Sequence, residues 1–296
     1  MCGIVGLFLK DPTLEPALGR LTATMLGTMS DRGPDSAGFA VYGSSRPGET
    51  KVTLRGRTPE EITLTVDRLA DAFGDVHPSL HDTHAVVCVD EDGVPALVDW
   101  IANQAASVDI VGHGHRMELF KEVGLPDRVA ERFALGAMSG THAIGHTRMA
   151  TESAVTTDGA HPYSTGSDQC LVHNGSLSNH NALRRTLVRE GFSFETENDT
   201  EVAAAYLSWR MREGMSLGAA LESSLADVDG FYTFVVGTEN GFGVLRDGIA
   251  CKPAVMAETD RYVAFGTEYR ALAGLPEIGA ARIWEPEPAT VYFWER

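Results

Sequence analysis

The sequence predicts an α+β fold, in which helices cover sheets built from many short strands. Three observations predict it. Short apolar runs recur along the chain, turn residues such as Gly, Asp and Asn separate them, and only two or three stretches between them show helical spacing. Strands and helices of this kind bury their apolar faces by stacking in layers. No fixed-period repeat indicates a solenoid.

The predicted elements follow in chain order. Residues 4–9 form a continuous apolar run that ends before Asp11-Pro12, which indicates a buried strand. A helix should pack on this strand, because apolar residues then recur at helical spacing: Leu14, Leu18, Leu21, Met25 and Met29. The later predictions are strands at 37–42, 51–54, 142–147 and 170–173, helices at 181–189 and around 202–209, and strands at 231–236, 242–245, 262–265 and 289–294. Asn198 and Glu201 predict a capping box at the start of the second of these helices.

Residues 58–137 are predicted to form an inserted α+β subdomain. The pattern indicates a helix around 62–69, a strand at 85–89, a helix at 96–102, a strand at 108–111, and one or two helices within 117–133. The chain of 296 residues then consists of one interrupted domain of about 215 residues and an insertion of about 80, which fits ordinary domain sizes.

Composition excludes several classes of protein. With 24 Lys and Arg against 41 Asp and Glu, the formal charge is −17, which argues against binding a phosphate backbone. The longest apolar runs are too short to span a membrane. The N-terminal residues lack the basic segment of a signal peptide, so this end is expected to be retained. The four cysteines form no CxxC pair, which favours a reducing cytoplasm. These features leave a soluble acidic enzyme or binding protein.

Cys2 is the most informative residue. Methionine before a small residue is normally removed, and Cys2 would then carry a thiol and a free α-amino group. The ordinary pKa of such an amine is about 7.7 to 8.0 and that of a thiol is about 8.5, so the amine can act as a base for the thiol beside it. N-terminal hydrolases with Thr use the same logic. The alternative is a buried apolar cysteine near the terminus.

Five motifs in a fixed order support the first of these two interpretations. They are Met-Cys-Gly-Ile-Val-Gly at 1–6, Arg-Gly-Pro-Asp-Ser-Ala-Gly at 32–38, Gly-His-Thr-Arg-Met-Ala-Thr at 145–151, His-Asn-Gly at 173–175 and Asn-Asp-Thr-Glu at 198–201. Together they resemble the class II glutamine amidotransferases, the N-terminal-nucleophile glutaminases. The resemblance covers residues 1–56 and 138–294. It implies one class II domain over 1–296, a four-layer αββα sandwich with the 58–137 subdomain at one edge.

The resemblance also implies roles for particular residues. Cys2 attacks the side-chain amide of glutamine, releases ammonia and forms a thioester that water hydrolyses to glutamate. Asn174, through its side-chain NH₂, and Gly175, through its backbone N–H, stabilise the oxyanion. Asn-Gly is also the commonest dipeptide of a type I′ hairpin turn, so this pair could serve as a turn as well.

The ends of the substrate are assigned in the same way. Arg148 matches the family arginine that binds the α-carboxylate, for which a bidentate guanidinium is suited. Asp199 matches the residue that binds the α-ammonium group. Taken alone, these residues would be a surface arginine and a helix N-terminal aspartate. Thr151 and the segment around His161-Pro162 are expected to line the same pocket.

No metal or cofactor is predicted on this chain. His77, His81 and His84 lie close in sequence, and His113 and His115 follow, but their spacing matches no zinc motif. A solvated histidine-rich loop is the preferred interpretation. The scattered cysteines provide no iron–sulfur ligand set. The resemblance, for its part, implies that any flavin and iron–sulfur centres lie on partner subunits.

A partner is implied because family members deliver ammonia to a synthase site. A stand-alone glutaminase-type chain with a long insertion resembles the small subunits of glutamate-synthase-like complexes. The glutaminase-type subunit of N-methylglutamate synthase (methylamine–glutamate N-methyltransferase) is the favoured example. Residues 58–137 are a candidate docking surface. Three alternatives stay open: a glutaminase serving another acceptor, an amidase for a different amide, and a catalytically silent scaffold subunit.

Overall fold

The computed structural model describes residues 2–74, 76–150 and 154–296. Its strands are β1 (Gly3–Leu9), β2 (Ser36–Tyr42), β3 (Glu49–Arg55), β4 (His77–His81), β5 (His84–Asp90), β6 (Asp109–Gly114), β7 (Met117–Val123), β8 (His142–Arg148), β9 (Tyr163–Gly166), β10 (Gln169–Leu177), β11 (Gly230–Gly237), β12 (Gly241–Arg246), β13 (Val255–Glu258), β14 (Tyr262–Gly266), β15 (Arg282–Trp284) and β16 (Val291–Glu295). Its α-helices are α1 (Leu18–Gly27), α2 (Pro59–Phe73), α3 (Val94–Gln104), α4 (Pro126–Arg132), α5 (His180–Arg189), α6 (Asp199–Arg212) and α7 (Leu217–Asp227).

Two antiparallel sheets form the centre of the molecule. The larger has the strand order β15-β13-β14-β1-β8-β2-β7, and the smaller has the order β16-β12-β11-β10-β9. Their facing sides share one apolar core, to which Ile4 and Ile144 contribute from the larger sheet and Val172 and Val235 from the smaller. All four side chains are fully buried, and each such burial stabilises the fold by roughly 1.5 to 3 kcal/mol.

Helices cover the outer face of each sheet. Leu21 and Met25 of α1 pack with Leu7 on the larger sheet. Helices α5, α6 and α7 cover the smaller sheet, where Leu207 and Leu221 pack with Leu171 of β10 in a separate apolar cluster. The layers therefore follow the order αββα, which confirms the predicted sandwich.

Helix α6 differs from its predicted form. The sequence suggests a helix with one apolar face, yet residues 200–207 are all buried, including Thr200 and Glu201. The reason is that α6 contacts α5, α7 and the strands β9 and β10. A helix surrounded in this way has no solvent-facing stripe along its first two turns.

The inserted segment forms a small sheet of its own. Strands β4, β5, β3 and β6 pair in that order, and all three ladders are antiparallel. With α2 after β3 and α3 after β5, the unit has the β-α-β-β-α-β arrangement of a ferredoxin-like fold. Its core includes Leu54, Leu69, Val87 and Ile101.

The limits of this unit differ from the predicted limits of 58 and 137. The sheet begins in β3 at Glu49 and ends in β6 at Gly114. Residues 117–133 were predicted as one or two helices, and the first half of that prediction is wrong. Met117–Val123 is β7, which pairs with β2 at the edge of the larger sheet, and only Pro126–Arg132 is helical.

The apolar pattern of the sequence does not predict several of the observed elements. Strands β9, β13 and β15 are only three or four residues long, and α7 starts after a Ser cap without a pronounced apolar stripe. His77–His81, predicted as part of a loop, is an edge strand whose side chains are mostly exposed. Among the residues that the structure describes, no helix is both long and apolar enough to cross a membrane.

Candidate active site

Most of the predicted site residues meet around one cavity. The cavity has a volume of about 600 Å³ and is lined by Cys2, Arg148, Asn174, Gly175 and Asp199, among other residues. These residues come from the start of β1, the end of β8, the middle of β10 and the start of α6. Antiparallel pairing of β1 with β8 brings the first two to the same end of the larger sheet. Thr151 lies outside the described residues.

The backbone around Cys2 is held by side chains from distant parts of the chain. The Cys2 carbonyl oxygen accepts hydrogen bonds from Arg32 Nε at 3.1 Å and from Asn174 Nδ2 at 3.3 Å. The next two backbone N–H groups donate to Thr147 Oγ1 at 3.2 Å and to Thr267 Oγ1 at 2.8 Å. The thiol-bearing residue, which is partly exposed, is therefore fixed at the cavity wall.

Arg32 is itself anchored. Its guanidinium forms an ion pair with Glu268, and both side chains are mostly shielded from solvent. Sequence reasoning did not assign either residue a role. No sequence signal links them, since they lie 236 positions apart. Arg32 reaches the start of β1 through the Cys2 carbonyl oxygen, and Glu268 follows β14, the strand that pairs with β1.

Asn174 and Gly175 lie inside β10 and do not form a hairpin turn, so that part of the prediction is wrong. Asn174 pairs with Thr233 of β11, and Gly175 pairs with Tyr232. Gly175 has a φ of 155°, and a Cβ atom there would lie 2.0 Å from the carbonyl oxygen of Phe231. Only glycine fits this backbone. The pair thus presents an amide side chain and a backbone N–H from a rigid strand.

Arg148 ends β8 and is almost completely buried, with 8% of its surface exposed. The backbone that follows it is organised by Asp35. The Asp35 N–H donates to the Arg148 carbonyl oxygen at 3.1 Å, and Asp35 Oδ2 accepts from the Ala150 N–H at 2.8 Å. The second motif therefore serves as a support for the third, a role that the sequence did not reveal.

Asp199 is the first residue of α6. Its Oδ2 atom accepts a hydrogen bond from the Leu177 N–H at 2.9 Å, and Oδ1 lies 3.6 Å from His173 Nδ1. Burial alone would raise the pKa of this carboxyl group, but the neighbouring His173 and the Leu177 N–H outweigh burial and lower it. A carboxylate at this cavity wall is suited to bind an ammonium group.

The predicted capping box forms only in part. Asn198 Oδ1 accepts from the Thr200 N–H at 2.9 Å and caps the helix as expected. The Glu201 carboxylate does not return to Asn198. It accepts instead from the N–H groups of Glu195 and Thr196, at 2.8 and 2.9 Å. The glutamate thereby fixes the segment that leads into the cavity.

Buried histidines support the floor of the cavity. Thr200 Oγ1 lies 2.7 Å from His161 Nε2 and 3.0 Å from His173 Nδ1. His161 stacks on His146 with ring centroids 4.0 Å apart. Burial lowers the pKa of His146 to about 3 and lowers that of His161 in the same direction. Both rings are therefore neutral near pH 7, and they position Thr200 and His173 without adding charge.

One group of potential metal ligands lies elsewhere among the described residues. The ligand atoms of His115, Asp168 and Glu239 lie within 4.8 Å of one another. The Asp168 oxygens, however, accept hydrogen bonds from the N–H groups of His115, Arg116 and Met117 at 2.7 to 2.9 Å. These three hydrogen bonds explain why Asp168 is buried: it holds the backbone that connects β6 to β7.

The arrangement in the main cavity suits acyl transfer. It combines a thiol, an amide side chain next to a glycine of β10, a guanidinium and a carboxylate. A guanidinium and a carboxylate at one cavity fit a ligand that carries both an acid and an ammonium group.

Comparisons with known proteins agree with this chemistry. Residues 146–274 match a family model described as a glutamine amidotransferase domain. The chain is 62% identical, over 100% of its own length and 98% of the relative's, to the glutamine amidotransferase-like protein GlxB of Rhizobium meliloti (strain 1021). It is 34% identical, over 99% of each chain, to a putative glutamine amidotransferase of Methanothermobacter thermautotrophicus.

A solved structure shares the fold. The glutamine phosphoribosylpyrophosphate amidotransferase from B. subtilis superposes on 99% of this chain with a TM-score of 0.63 at 19% identity. This chain spans only 47% of the length of that protein. The superposition supports the αββα sandwich described above.

Proposed function

Because this chain belongs to the glutamine amidotransferase family, we propose that it hydrolyses glutamine to glutamate and ammonia and that its cavity is the glutaminase site. One observation carries the assignment to this cavity. Cys2, Arg148, Asn174, Gly175 and Asp199 come from four separate segments, and all of them line one 600 Å³ cavity. Residues retained for packing alone would have no reason to converge on an open space.

Glutamine fits the charges of the cavity. Its α-carboxylate pairs with Arg148 and its α-ammonium group with Asp199, which leaves the side-chain amide free to reach Cys2. Both ends of the zwitterion are then bound before reaction, and the reacting atoms are brought together by binding energy. An amide that lacks the α-amino acid group would leave Arg148 and Asp199 unpaired. The cavity should therefore bind such an amide more weakly than glutamine.

The proposed reaction starts once Met1 has been removed. The α-amine of Cys2 accepts the thiol proton, and the sulfur attacks the amide carbon. Negative charge develops on the amide oxygen. The Gly175 N–H donates to it, and so does the Asn174 Nδ2 hydrogen that is not bound to the Cys2 carbonyl oxygen. The amine returns the proton to the leaving nitrogen, ammonia departs, and a thioester remains. Water then attacks the thioester carbon while the amine takes a proton from the water. The amine gives this proton to the departing sulfur, and glutamate is released.

The ammonia acceptor is proposed from the resemblance of the chain to small glutaminase-type subunits. We place the protein in the cytoplasm as one subunit of a hetero-oligomeric, glutamate-synthase-like complex, with N-methylglutamate synthase as the favoured example. Flavin and iron–sulfur centres would then belong to the partner subunits. Affinity purification from the native host tests this. Co-purification of a flavin-containing synthase supports the proposal, and a sugar-phosphate or phosphoribosyl transferase partner would replace it.

The glutaminase assignment is tested by ammonia release from L-glutamine. Cys2→Ala is expected to lower kcat at least about a thousandfold, as removal of a catalytic nucleophile does. Cys251→Ala is the matched control, because Cys251 is an exposed free cysteine outside the cavity lining, and it should retain full activity. Equal ammonia release from wild type and Cys2→Ala would overturn the proposal.

A further inference from the structure

A second cavity lies where three sheets meet. It has a volume of about 390 Å³ and is lined by residues of β6, of β7 and of β9. Each of these strands is the edge of its own sheet: β6 of the inserted sheet, β7 of the larger central sheet and β9 of the smaller. Edge strands carry backbone N–H and C=O groups that their own sheets do not use. The cavity wall is therefore rich in polar groups.

Lys121 of β7 is the central feature of this cavity. Its side chain is buried, with 7% of the residue exposed. Nζ donates one hydrogen bond of 3.3 Å, to the carbonyl oxygen of Asp158, and lies 4.6 Å from the ring centroid of Tyr163. In the three described stretches of the chain, no carboxylate oxygen lies within 4.0 Å of Nζ. An ammonium group has three donors, so most of its capacity faces the cavity.

The carboxylates nearest to this cavity already have partners, with one exception. Arg55 forms ion pairs with Asp109 and Asp158, each at 2.5 Å. The Glu201 carboxylate accepts the backbone N–H groups of Glu195 and Thr196. The Glu195 side chain has no ion pair within the described ranges, and burial together with nearby Asp109 raises its pKa. Lys121 and Glu195 thus have no charged partner among the described residues, whereas Arg212, a second cation of the lining, donates to the Glu190 carbonyl oxygen at 2.7 Å and lies over the Phe192 ring.

An unpaired buried ammonium group lowers the stability of the fold when the cavity holds only solvent. Burial lowers the pKa of Lys121 to about 8, helped by the positive charge of Arg55, which shows how poorly the site compensates the ammonium. A buried charge is usually paired, and an unpaired one destabilises the fold. Its retention at a cavity wall is explained if a ligand supplies the missing charge.

We propose that this second cavity binds an α-amino acid zwitterion, with Lys121 binding the carboxylate and Glu195 the ammonium group. The zwitterion pairs both groups and adds no net charge to a site where Asp109 and Asp158 would repel a phosphate. The volume is at the lower end of the range for small-molecule sites. The proposal does not depend on the glutaminase assignment.

The second cavity is connected to the first. Thr196 lines both, and Asp158 of the second cavity precedes Gly159 of the first. The two cavities therefore share one wall.

The test is calorimetric titration of L-glutamate into the full-length Arg148→Ala protein, in which the first cavity lacks its proposed carboxylate partner. We expect one site to remain. Adding Lys121→Met should weaken that site at least about tenfold, whereas Lys51→Met, which removes a cation paired with Glu118 at 2.5 Å outside the second cavity, should leave it unchanged. Glutarate, which lacks the ammonium group, should bind more weakly than L-glutamate.

A second variant tests the other end of the ligand. Glu195 is exposed as a whole residue although its carboxyl group is partly removed from solvent, so Glu195→Gln should fold normally. It should weaken L-glutamate binding about tenfold while leaving glutarate binding unchanged. The melting temperature of Lys121→Met without ligand should equal or exceed that of wild type, because an uncompensated buried charge is removed. No binding to Arg148→Ala at millimolar L-glutamate, equal binding after Lys121→Met, or a lower melting temperature of Lys121→Met would each overturn the proposal.

Discussion

Arg148 offers the sharpest single-residue test of the substrate orientation. Its guanidinium is almost fully buried at the end of β8, and a planar fork of two parallel donors matches a carboxylate in a way that a lysine ammonium cannot. Arg148→Lys keeps the charge but loses the second hydrogen bond. We expect kcat/KM for L-glutamine to fall about 10- to 100-fold, mainly through KM.

The matched control for this prediction is Arg184→Lys. Arg184 is also largely shielded from solvent and donates to the Thr196 carbonyl oxygen at 2.7 Å, but it does not line the main cavity. Steady-state kinetics of both variants should separate them. A KM that is unchanged in Arg148→Lys would remove this residue from the proposed substrate contacts.

The site residues divide into those that the sequence could predict and those that it could not. Roles for Cys2, Arg148 and Asp199 could be expected because each lies in one of five ordered motifs that resemble the class II glutamine amidotransferases. Arg32, Glu268 and Asp35 were not assigned roles, because their contribution is a contact between distant segments. Lys121 gave no signal at all, since a single lysine is ordinarily exposed.

At the scale of elements, Asp168 connects the inserted unit to the central sandwich. This buried carboxylate accepts three backbone N–H groups from residues 115–117, between β6 and β7. Asp168→Ala leaves those donors without their acceptor. Because each unsatisfied buried donor costs about 1 to 3 kcal/mol, we expect the free energy of unfolding to fall by about 3 kcal/mol or more.

Urea denaturation checks this prediction, with Ser167→Ala as the neighbouring control. Ser167 is exposed, and its substitution should change the free energy of unfolding by less than about 0.5 kcal/mol. Equal midpoints for Asp168→Ala and wild type would show that the three hydrogen bonds do not hold the connection.

The elements also show where sequence patterns fail. The apolar run of β1 was recognised because a strand buried on both faces has a continuous apolar sequence. Met117–Val123 was misjudged because Met, Glu, Leu and Lys all favour helices, yet this segment completes the edge of the larger sheet beside β2. The Asn-Gly pair is also typical of a turn, yet it lies in mid-strand, paired with β11. Its glycine is required for a different reason, since the Phe231 carbonyl oxygen leaves no room for a side chain.

At the scale of the whole molecule, buried histidines should control acid stability. Burial lowers the pKa values of His84, His142 and His146 to about 3, from an unfolded value of 6.5. Above pH 6.5 both states are neutral at these sites, and the full stability is present. Between pH 6.5 and 3 the unfolded state binds protons that the folded state does not, so stability falls as the pH falls.

The expected size of the effect follows from proton linkage. Each histidine contributes about 1.4 kcal/mol per pH unit below 6.5, so the three together should lower the free energy of unfolding by about 4 kcal/mol at one unit below that value. The slope of the free energy of unfolding against pH reports how many more protons the unfolded state binds. His84→Leu should reduce this number by about one, whereas His77→Gln, at an exposed position, should leave it unchanged. Identical slopes for wild type and His84→Leu, measured by urea titration from pH 7.5 to 5, would contradict this explanation.

The charge of −17 also acts at this scale. It argues against nucleic acid as a partner, and it is compatible with a small zwitterionic substrate and a protein partner. The αββα layering could be predicted because the motif order resembles one fold family. The ferredoxin-like order of the inserted sheet could not, because strand pairing depends on contacts that no local pattern specifies.

The central claim is that the Cys2 sulfur forms a covalent intermediate with glutamine in the main cavity. Intact-mass spectrometry of the purified protein, quenched in acid during turnover, tests it most directly. We predict a chain that lacks Met1 and carries one additional glutamyl group, and we predict that this adduct is absent from Cys2→Ala. Active protein that retains Met1, or an equal adduct on Cys2→Ala, would contradict the claim.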